Sequence, residues 1–333
     1  MKMYGVLCVA VGITMLLTPM AAIEFERTTG EKASDIQTVA EETVTAVSAT
    51  VLQKEDAINV FMTTENETEV MDMRDYIIGA VSAEVPASYN EEAIKAQALA
   101  AVTFAEYKKK NGSDDNVNGA DISDDSSKHQ GYMSKEEMKE KWGDAYDVYY
   151  EKIADAVDEV IDKIIVYDGE PIMAAYHAIS PGKTESAKNM WGENIEYLVS
   201  VDSEWDAQST RFESEVVLSP EDIENLLGNN ENADFSQDKD EWIVVKDVSD
   251  AGTVLSAEVC GISLTGMEVR NLFSLRSPSF EVEYCDGEYI FTVYGYGHGV
   301  GMSQNGANCM AQNGSTYKEI IAHYYKGTTI AER

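Results

Sequence analysis

The sequence predicts an α+β fold of mixed, mainly antiparallel sheets with a few helices, arranged as two lobes around a cleft behind an N-terminal transmembrane helix. Three observations predict it. Short apolar runs of strand length (INVFM, KIIVYDG, PIMAAY, EWIVVKDV, FEVEY, YIFTVYG) mix with separate helical stretches and never alternate as βαβ units. Residues 4–23, YGVLCVAVGITMLLTPMAAI, carry no charge and reach the roughly 20 apolar residues that a bilayer crossing needs. The 333 residues leave room for one large domain or two modest ones, with a soft second-lobe boundary at 210–275.

In chain order, residues 1–3 form a short tail and 4–23 the anchor. Lys2 precedes the apolar run while Glu24 and Glu26 follow it, so the positive-inside bias puts the bulk of the chain outside the cytoplasm. A cleaved signal peptide is the alternative, since PMAA at 19–22 offers small residues. The run exceeds the usual length of a signal-peptide core, which favours the uncleaved anchor. Residues 24–57 are rich in Thr, Ala, Ser and Glu without periodicity and read as a stalk. The folded domain then spans 58–333, opening with the strand INVFM and a turn at TEN.

Two helices follow. Asp72 can cap the first, in which Met73, Tyr76, Ile77, Ala80 and Val81 recur at helical spacing before Pro86 stops it. Glu84 continues the apolar face at the end of this helix. Desolvation there would raise its pKa toward the range of a general acid; a capping or salt-bridged glutamate is the other reading. The second helix has Asn90 as its cap, Glu91 and Glu92 in the first turn and Lys108, Lys109 and Lys110 in the last, so charge complements the helix dipole at both ends.

The balance of 60 acidic against 25 basic residues, a net of −35, argues against a nucleic-acid partner, which requires a basic footprint. Cys8 lies in the anchor, and Cys260, Cys285 and Cys309 leave at most one disulfide. Buried thiols are the default expectation, with Cys260 and Cys285 the only pairing considered. The segment GYGHGVGMSQNGANCMAQNG, residues 295–314, invites comparison with phosphate-binding loops. It fails as G-x-G-x-x-G, because the third glycine position falls on Val300, Met302 or Gln304 in the three registers, and no Lys-Ser/Thr pair follows.

Four blocks carry a resemblance. EVP followed by EEAIKAQALAAVTFAEY resembles the E-M/V-P…K-A-Q-A-V-A-A-R-T-Y-A segment of the stage II sporulation protein D family of lytic transglycosylases. IMAAYHAISPGKTESAKNMWGENIEYLVSVDSEWD, GYGHGVGMSQNGA and YKEIIAHYYKGTTI are similar to later blocks of that family, in the same order across 58–330. The resemblance implies a membrane-anchored enzyme of the sporulating cell. Its domain would lie in the intermembrane space and act on peptidoglycan glycan strands stripped of stem peptides during engulfment. The implied partners are a cell-wall amidase and a membrane component of the engulfment machinery. No cofactor is implied.

The family's catalytic glutamate falls on Glu84. The implied substrate-binding residues are Lys95, Tyr176, His177, Ser180, Thr184 and His298, with Gln130, Tyr132 and Gln304 weaker. The glycines of 295–301 would then shape a tight loop presenting His298 and the next helix to a glycan. His323 reads as structural and His129 as a loop residue. Val102 stands where the family has an arginine, and a valine supplies no charge-assisted hydrogen bond. Some relatives hold zinc through His and Cys after the second helix; here 111–150 contains His129 but no cysteine. Two rivals are a non-catalytic glycan-binding scaffold that stimulates an amidase, favoured by Val102, and a metal-dependent amidase using His177, His298 and a carboxylate, which lacks H-E-x-x-H spacing.

Overall fold

A computed structural model describes residues 56–333 except 113–118, 127 and 229. The expected anchor at 4–23 and nearly all of the stalk lie outside the described residues. The fold is mixed α+β with mainly antiparallel sheets, as the sequence predicts.

Strand β1 (Ala57–Met62) turns through Asn66, in the left-handed region at φ 55°, into β2 (Glu67–Asp72), and the two pair antiparallel. β3 (Ile122–Ser123) lies parallel on the other side of β1. Helix α1 (Met73–Glu84) starts where β2 ends, its first turn capped by the Asp72 carboxylate accepting from the Arg74 N–H at 3.1 Å. It stops at Val85, whose extended backbone is what a following proline demands. Helix α2 (Glu91–Asn111), capped by Asn90, packs its alanine-rich face on α1. Both helices match their sequence-predicted bounds.

Helices α3 (Lys135–Trp142) and α4 (Tyr146–Asp158) complete this side, α3 opening with a Ser134/Glu137 capping box. β4 (Lys163–Tyr167) carries β5 (Glu170–Pro171) on one edge and the terminal β14 (Thr329–Glu332) on the other. The predicted strand PIMAAY is not one. Only Pro171 and Tyr176 belong to strands, the latter in β6 (Tyr176–His177); between them the Ile172 N–H still donates to Ile165 of β4, but Met173 and Ala175 turn to a local bond and to tyrosine hydroxyls. Tyr197 accepts from the Met173 N–H at 3.0 Å, and the Tyr325 hydroxyl donates to the Ala175 carbonyl at 2.9 Å.

After α5 (Ala187–Trp191), residues 213–294 build two more antiparallel sheets. One holds β7 (Glu213–Leu218), β11 (Phe280–Cys285) and β12 (Glu288–Tyr294); the other holds β8 (Ile243–Val248), β9 (Val254–Val259) and β10 (Ile262–Leu264). Helices α6 (Pro220–Leu227) and α7 (Gly266–Leu272) cover them. The described residues belong to one compact unit rather than two, and that unit holds two apolar clusters. The larger is built on α1, α2 and α4. The smaller, around Trp242, Tyr289 and Phe291, takes its residues from 216–293, beyond the expected limit at 275.

Cys260, Cys285 and Cys309 are all free thiols, which corrects the considered Cys260–Cys285 pairing. Cys285 is exposed, against the expectation of burial. The chain ends with β13 (Met302–Ser303) parallel to β6, then α8 (Gln304–Gln312) and α9 (Tyr317–Tyr324). Gln304 therefore begins α8 directly beside the strand that carries Tyr176 and His177.

Candidate functional site

Glu84 is the last residue of α1 and is half-buried. One carboxylate oxygen accepts the Gly131 N–H at 2.8 Å, and the other accepts from the Gln304 amide at 3.3 Å. Burial pushes its pKa up, and these two neutral donors only partly oppose the shift. No cation contributes. Val102, in the place of the expected arginine, is fully buried in the larger apolar cluster.

Two phenols share this environment. The buried Tyr76 hydroxyl donates to the Gln130 side-chain oxygen at 3.0 Å, while the Gln130 amide reaches the Ala101 carbonyl at 3.4 Å. The Tyr176 hydroxyl is buried beside Gln130 and makes no hydrogen bond of normal geometry. Burial first, and the nearby Glu84 charge second, hold both phenols far above the ordinary tyrosine range. They face the carboxyl as neutral groups at every physiological pH. Tyr132 stacks on Tyr76 at 5.9 Å, lying against α1 where Gly79 has no side chain; a Cβ there would stand 2.2 Å from the Tyr132 ring.

Gln304 links the two halves of the site. Its amide also reaches the Gln97 oxygen at 3.4 Å, so α1, α2 and α8 meet through one side chain. Gln97 and Gly131 escaped the sequence reading, and Tyr76 entered it only as an apolar-face residue. For Gln97 a signal existed: it is one of the few polar residues, with Lys95 and Thr103, among the buried, alanine-rich positions of α2. Gly131 acts through its backbone, and a sequence offers no mark of that.

The glycine-rich loop, 295–301, forms the neighbouring wall. Gly295, Gly297, Gly299 and Gly301 all have positive φ. At Gly301 a Cβ would stand 2.0 Å from the Ala175 carbonyl, and at Gly297 2.8 Å from the His177 Cβ, so the loop packs directly on the β6 segment. His177 Nδ1 donates to the Val300 carbonyl at 3.1 Å, which leaves its buried Nε2 as an acceptor without a partner among the described residues. His298 Nδ1 accepts the Val300 N–H at 3.0 Å. The rings lie 5.8 Å apart. Burial lowers His177 to about 4; burial, then the His177 and Arg270 charges, lower His298 to about 3. Both are neutral near pH 7.

Other expected residues bond groups other than Glu84. Ser180 is fully buried, its hydroxyl donating to Asp206 at 2.7 Å. Thr184 is fully buried and accepts the Val201 N–H at 2.9 Å. The Lys95 ammonium is held by Glu91 at 2.8 Å, Glu92 at 3.1 Å and Glu159 at 2.8 Å, with the side chain 8 % exposed. Burial opposes its charge, but the hydrogen bonds it donates to the three carboxylates outweigh that and hold its pKa above the ordinary lysine value. His323 bonds the Asp202 carbonyl, in the structural role expected of it. His129 sits beside Ser123 on β3 and against Phe104.

The SpoIID family profile, described as stage II sporulation protein, matches residues 62–167. Stage II sporulation protein D of Bacillus subtilis is 35 % identical over 276 residues, covering 83 % of this chain and 79 % of that protein. The chain belongs to the stage II sporulation protein D family. The protein of the same name from Bacillus amyloliquefaciens matches to the same extent, 35 % over 83 % of this chain and 79 % of its own. A more distant relative, the amidase enhancer of Bacillus subtilis, is 24 % identical over 76 % of this chain and 40 % of its own. In the part of this family fold described here, Glu84 and Gln304 stand 220 residues apart in sequence and touch.

Proposed function

We propose that the chain serves sporulation as a membrane-anchored peptidoglycan lytic transglycosylase, cleaving glycan strands stripped of stem peptides and leaving 1,6-anhydro-N-acetylmuramic acid ends. The observation that carries this reading is one half-buried carboxyl with a raised pKa, held by neutral donors and flanked by neutral phenols. Ordinary glycoside hydrolysis employs two carboxyl groups, one of them handling water or forming a covalent intermediate. Here the nucleophile is the C6 hydroxyl of the reacting muramic acid itself, whose tethering supplies a large effective molarity.

Protonated Glu84 gives its proton to the glycosidic oxygen as the C1–O bond breaks. The resulting carboxylate takes the C6 hydroxyl proton as that oxygen closes on C1. The proton count balances, and Glu84 ends as it began. The Gly131 N–H and the Gln304 amide hold the carboxyl through both steps and stabilise its charged form between them. Tyr132, Gln130, Tyr176, His177 and His298 border the carboxyl or the adjoining loop and would orient sugar hydroxyls and N-acetyl groups. Lys95, Ser180 and Thr184 act at a distance, through the packing of α2 and of the loop after β6. The segment 4–23 would tether the domain outside the cytoplasm.

A second reading has its own support. Val102 leaves the carboxyl without the arginine usual in the family, and a relative carries the name amidase enhancer, which suits a glycan-binding scaffold that stimulates a cell-wall amidase. Mass spectrometry of peptide-free glycan strands incubated with the purified full-length chain decides between them. Anhydro-ended fragments from the parent and none from Glu84→Gln support the transglycosylase. Intact strands from a folded parent, together with faster amidase turnover on its addition, support the scaffold.

A further inference from the structure

Three of the five arginines among the described residues gather around Tyr296 of the glycine-rich loop. The guanidiniums of Arg211 and Arg276 lie 5.5 and 5.8 Å from the ring centroid of Tyr296, and Arg270 is near enough for its charge to depress His298. The other two, Arg74 and Arg333, each bond carboxylates. Among the described residues, none of the gathered three forms an ion pair. In a chain with 60 acidic side chains, three arginines outside any ion pair are a notable local concentration of positive charge.

The backbone fixes the patch in place. The Gly295 N–H donates to the Phe212 carbonyl at 2.7 Å, next to Arg211, and the Gly297 N–H donates to the Arg276 carbonyl at 3.0 Å. Tyr296 and Ile179 exchange both backbone bonds, at 2.7 and 3.1 Å, which ties the patch to the segment that follows Tyr176 and His177. Trp191 extends it, with its ring 5.4 Å from His298. Trp191 is 40 % and Tyr296 36 % exposed, and Arg211 and Arg276 are both exposed. Two aromatic surfaces therefore stand open beside two free guanidiniums. Stacking on a ring stabilises each cation but neutralises neither, so both guanidiniums keep their charge and their hydrogen-bond donors for an anion.

We propose that Arg211 and Arg276, with Tyr296 and Trp191, form a subsite for an acidic sugar. They would grip the free lactyl carboxylate that a muramic acid exposes once its stem peptide is gone, while the aromatic faces carry the sugar rings. The inference rests on the glycan reading above and names the feature by which a stripped strand is told from a peptide-bearing one. In the peptide-bearing strand that carboxyl is an amide and offers no charge.

The test is direct binding to the full-length Glu84→Gln chain, which holds strands without turning them over. Peptide-free strands should bind about tenfold tighter than the same strands with their carboxyls methyl-esterified. In the added Arg211→Gln/Arg276→Gln background the two ligands should bind equally, at the affinity of the ester. Should the double variant lose its cooperative melt, Arg211→Gln alone carries the same comparison. Equal binding of both ligands by the parent overturns the subsite, as does discrimination that survives arginine removal. A phosphate polymer such as teichoic acid competing as well as stripped strands also overturns it, because the patch would then bind any anion. Cleavage is scored separately. Anhydro products without carboxylate discrimination sink the subsite alone, and discrimination without products sinks the transglycosylase alone.

Discussion

Helix α8 opens with two neighbouring amides that reach two carboxylates, and the two differ in how well they are served. Gln304 offers Glu84 one long bond, to which only the Gly131 N–H is added. Asn305 bonds Asp206 at 2.9 Å, and Asp206 also accepts from the Ser180 N–H and hydroxyl and from the Ser203 hydroxyl, at 3.1, 2.7 and 3.0 Å. Asp206 is fully buried; Glu84 keeps an open side. A buried carboxylate surrounded by donors is a fastener, because four donors converge on it and removing it strands several of them. A carboxyl with few donors and a raised pKa can accept and release a proton. The local chemistry is the same, and the number of bonds decides the use.

The contrast can be broken from the Asp206 side first. Asp206→Ala leaves the Ser180 N–H and the Asn305 amide without their acceptor and the Ser203 hydroxyl with only Tyr324, and should cost about 3 kcal/mol in chemical denaturation. A loss under 1 kcal/mol would show that Asp206 is not the fastener its bonds suggest. Glu84→Gln should do the opposite. Its stability should hold, while any cleavage of peptide-free strands falls by about 100-fold or more. Parent-like cleavage by this variant removes Glu84 from the chemistry.

Lys95→Met comes next. It leaves Glu91, Glu92 and Glu159 facing one another without the ammonium, and should lower stability by about 1–2 kcal/mol, since those carboxylates remain partly solvated. Glycan binding should be unaffected, and a specific loss of binding in a fully stable variant would return Lys95 to the substrate.

Acid–base linkage sharpens the Glu84 side. Its folded pKa lies above the unfolded value, so between the two the native state binds more protons and stability falls as pH rises. Relative to the parent, Glu84→Gln should therefore gain stability as pH passes upward through the native Glu84 pKa, and lose that advantage in acid, where both side chains are neutral. Thermal melts of the two across pH check this, and a difference independent of pH would refute the raised pKa. The smallest effect expected is Tyr76→Phe. It deprives the Gln130 oxygen of its donor and should cost about 1 kcal/mol in denaturant.

Much of the scaffold was legible in the sequence. The caps of α1 and α2, the stop before Pro86 and the placement of Glu84 at the end of an apolar stripe all follow from local rules that act within a turn or two of helix. So does the glycine-rich stretch, because only glycine accepts positive φ at alternate positions without strain. Strands with clear alternation, such as β11 and β12, were equally readable. PIMAAY was misread because its apolar run is strand-like while its backbone is shared between β4, β13, a local bond and two tyrosine hydroxyls, which leaves no continuous ladder.

By itself, then, the sequence determined which residues form the helices and the loop, and which carboxyl ends an apolar face. Tertiary structure alone decided what those groups do. It brought Gly131 and Gln304 to Glu84 across 47 and 220 residues, and it surrounded Lys95 with Glu159. It turned Ser180 and Thr184 inward, and it set three arginines around Tyr296, none of them in an ion pair among the described residues. The reason is physical. Capping and turn formation depend on neighbours in sequence, whereas burial, charge pairing and the number of hydrogen bonds at a carboxylate depend on neighbours in space.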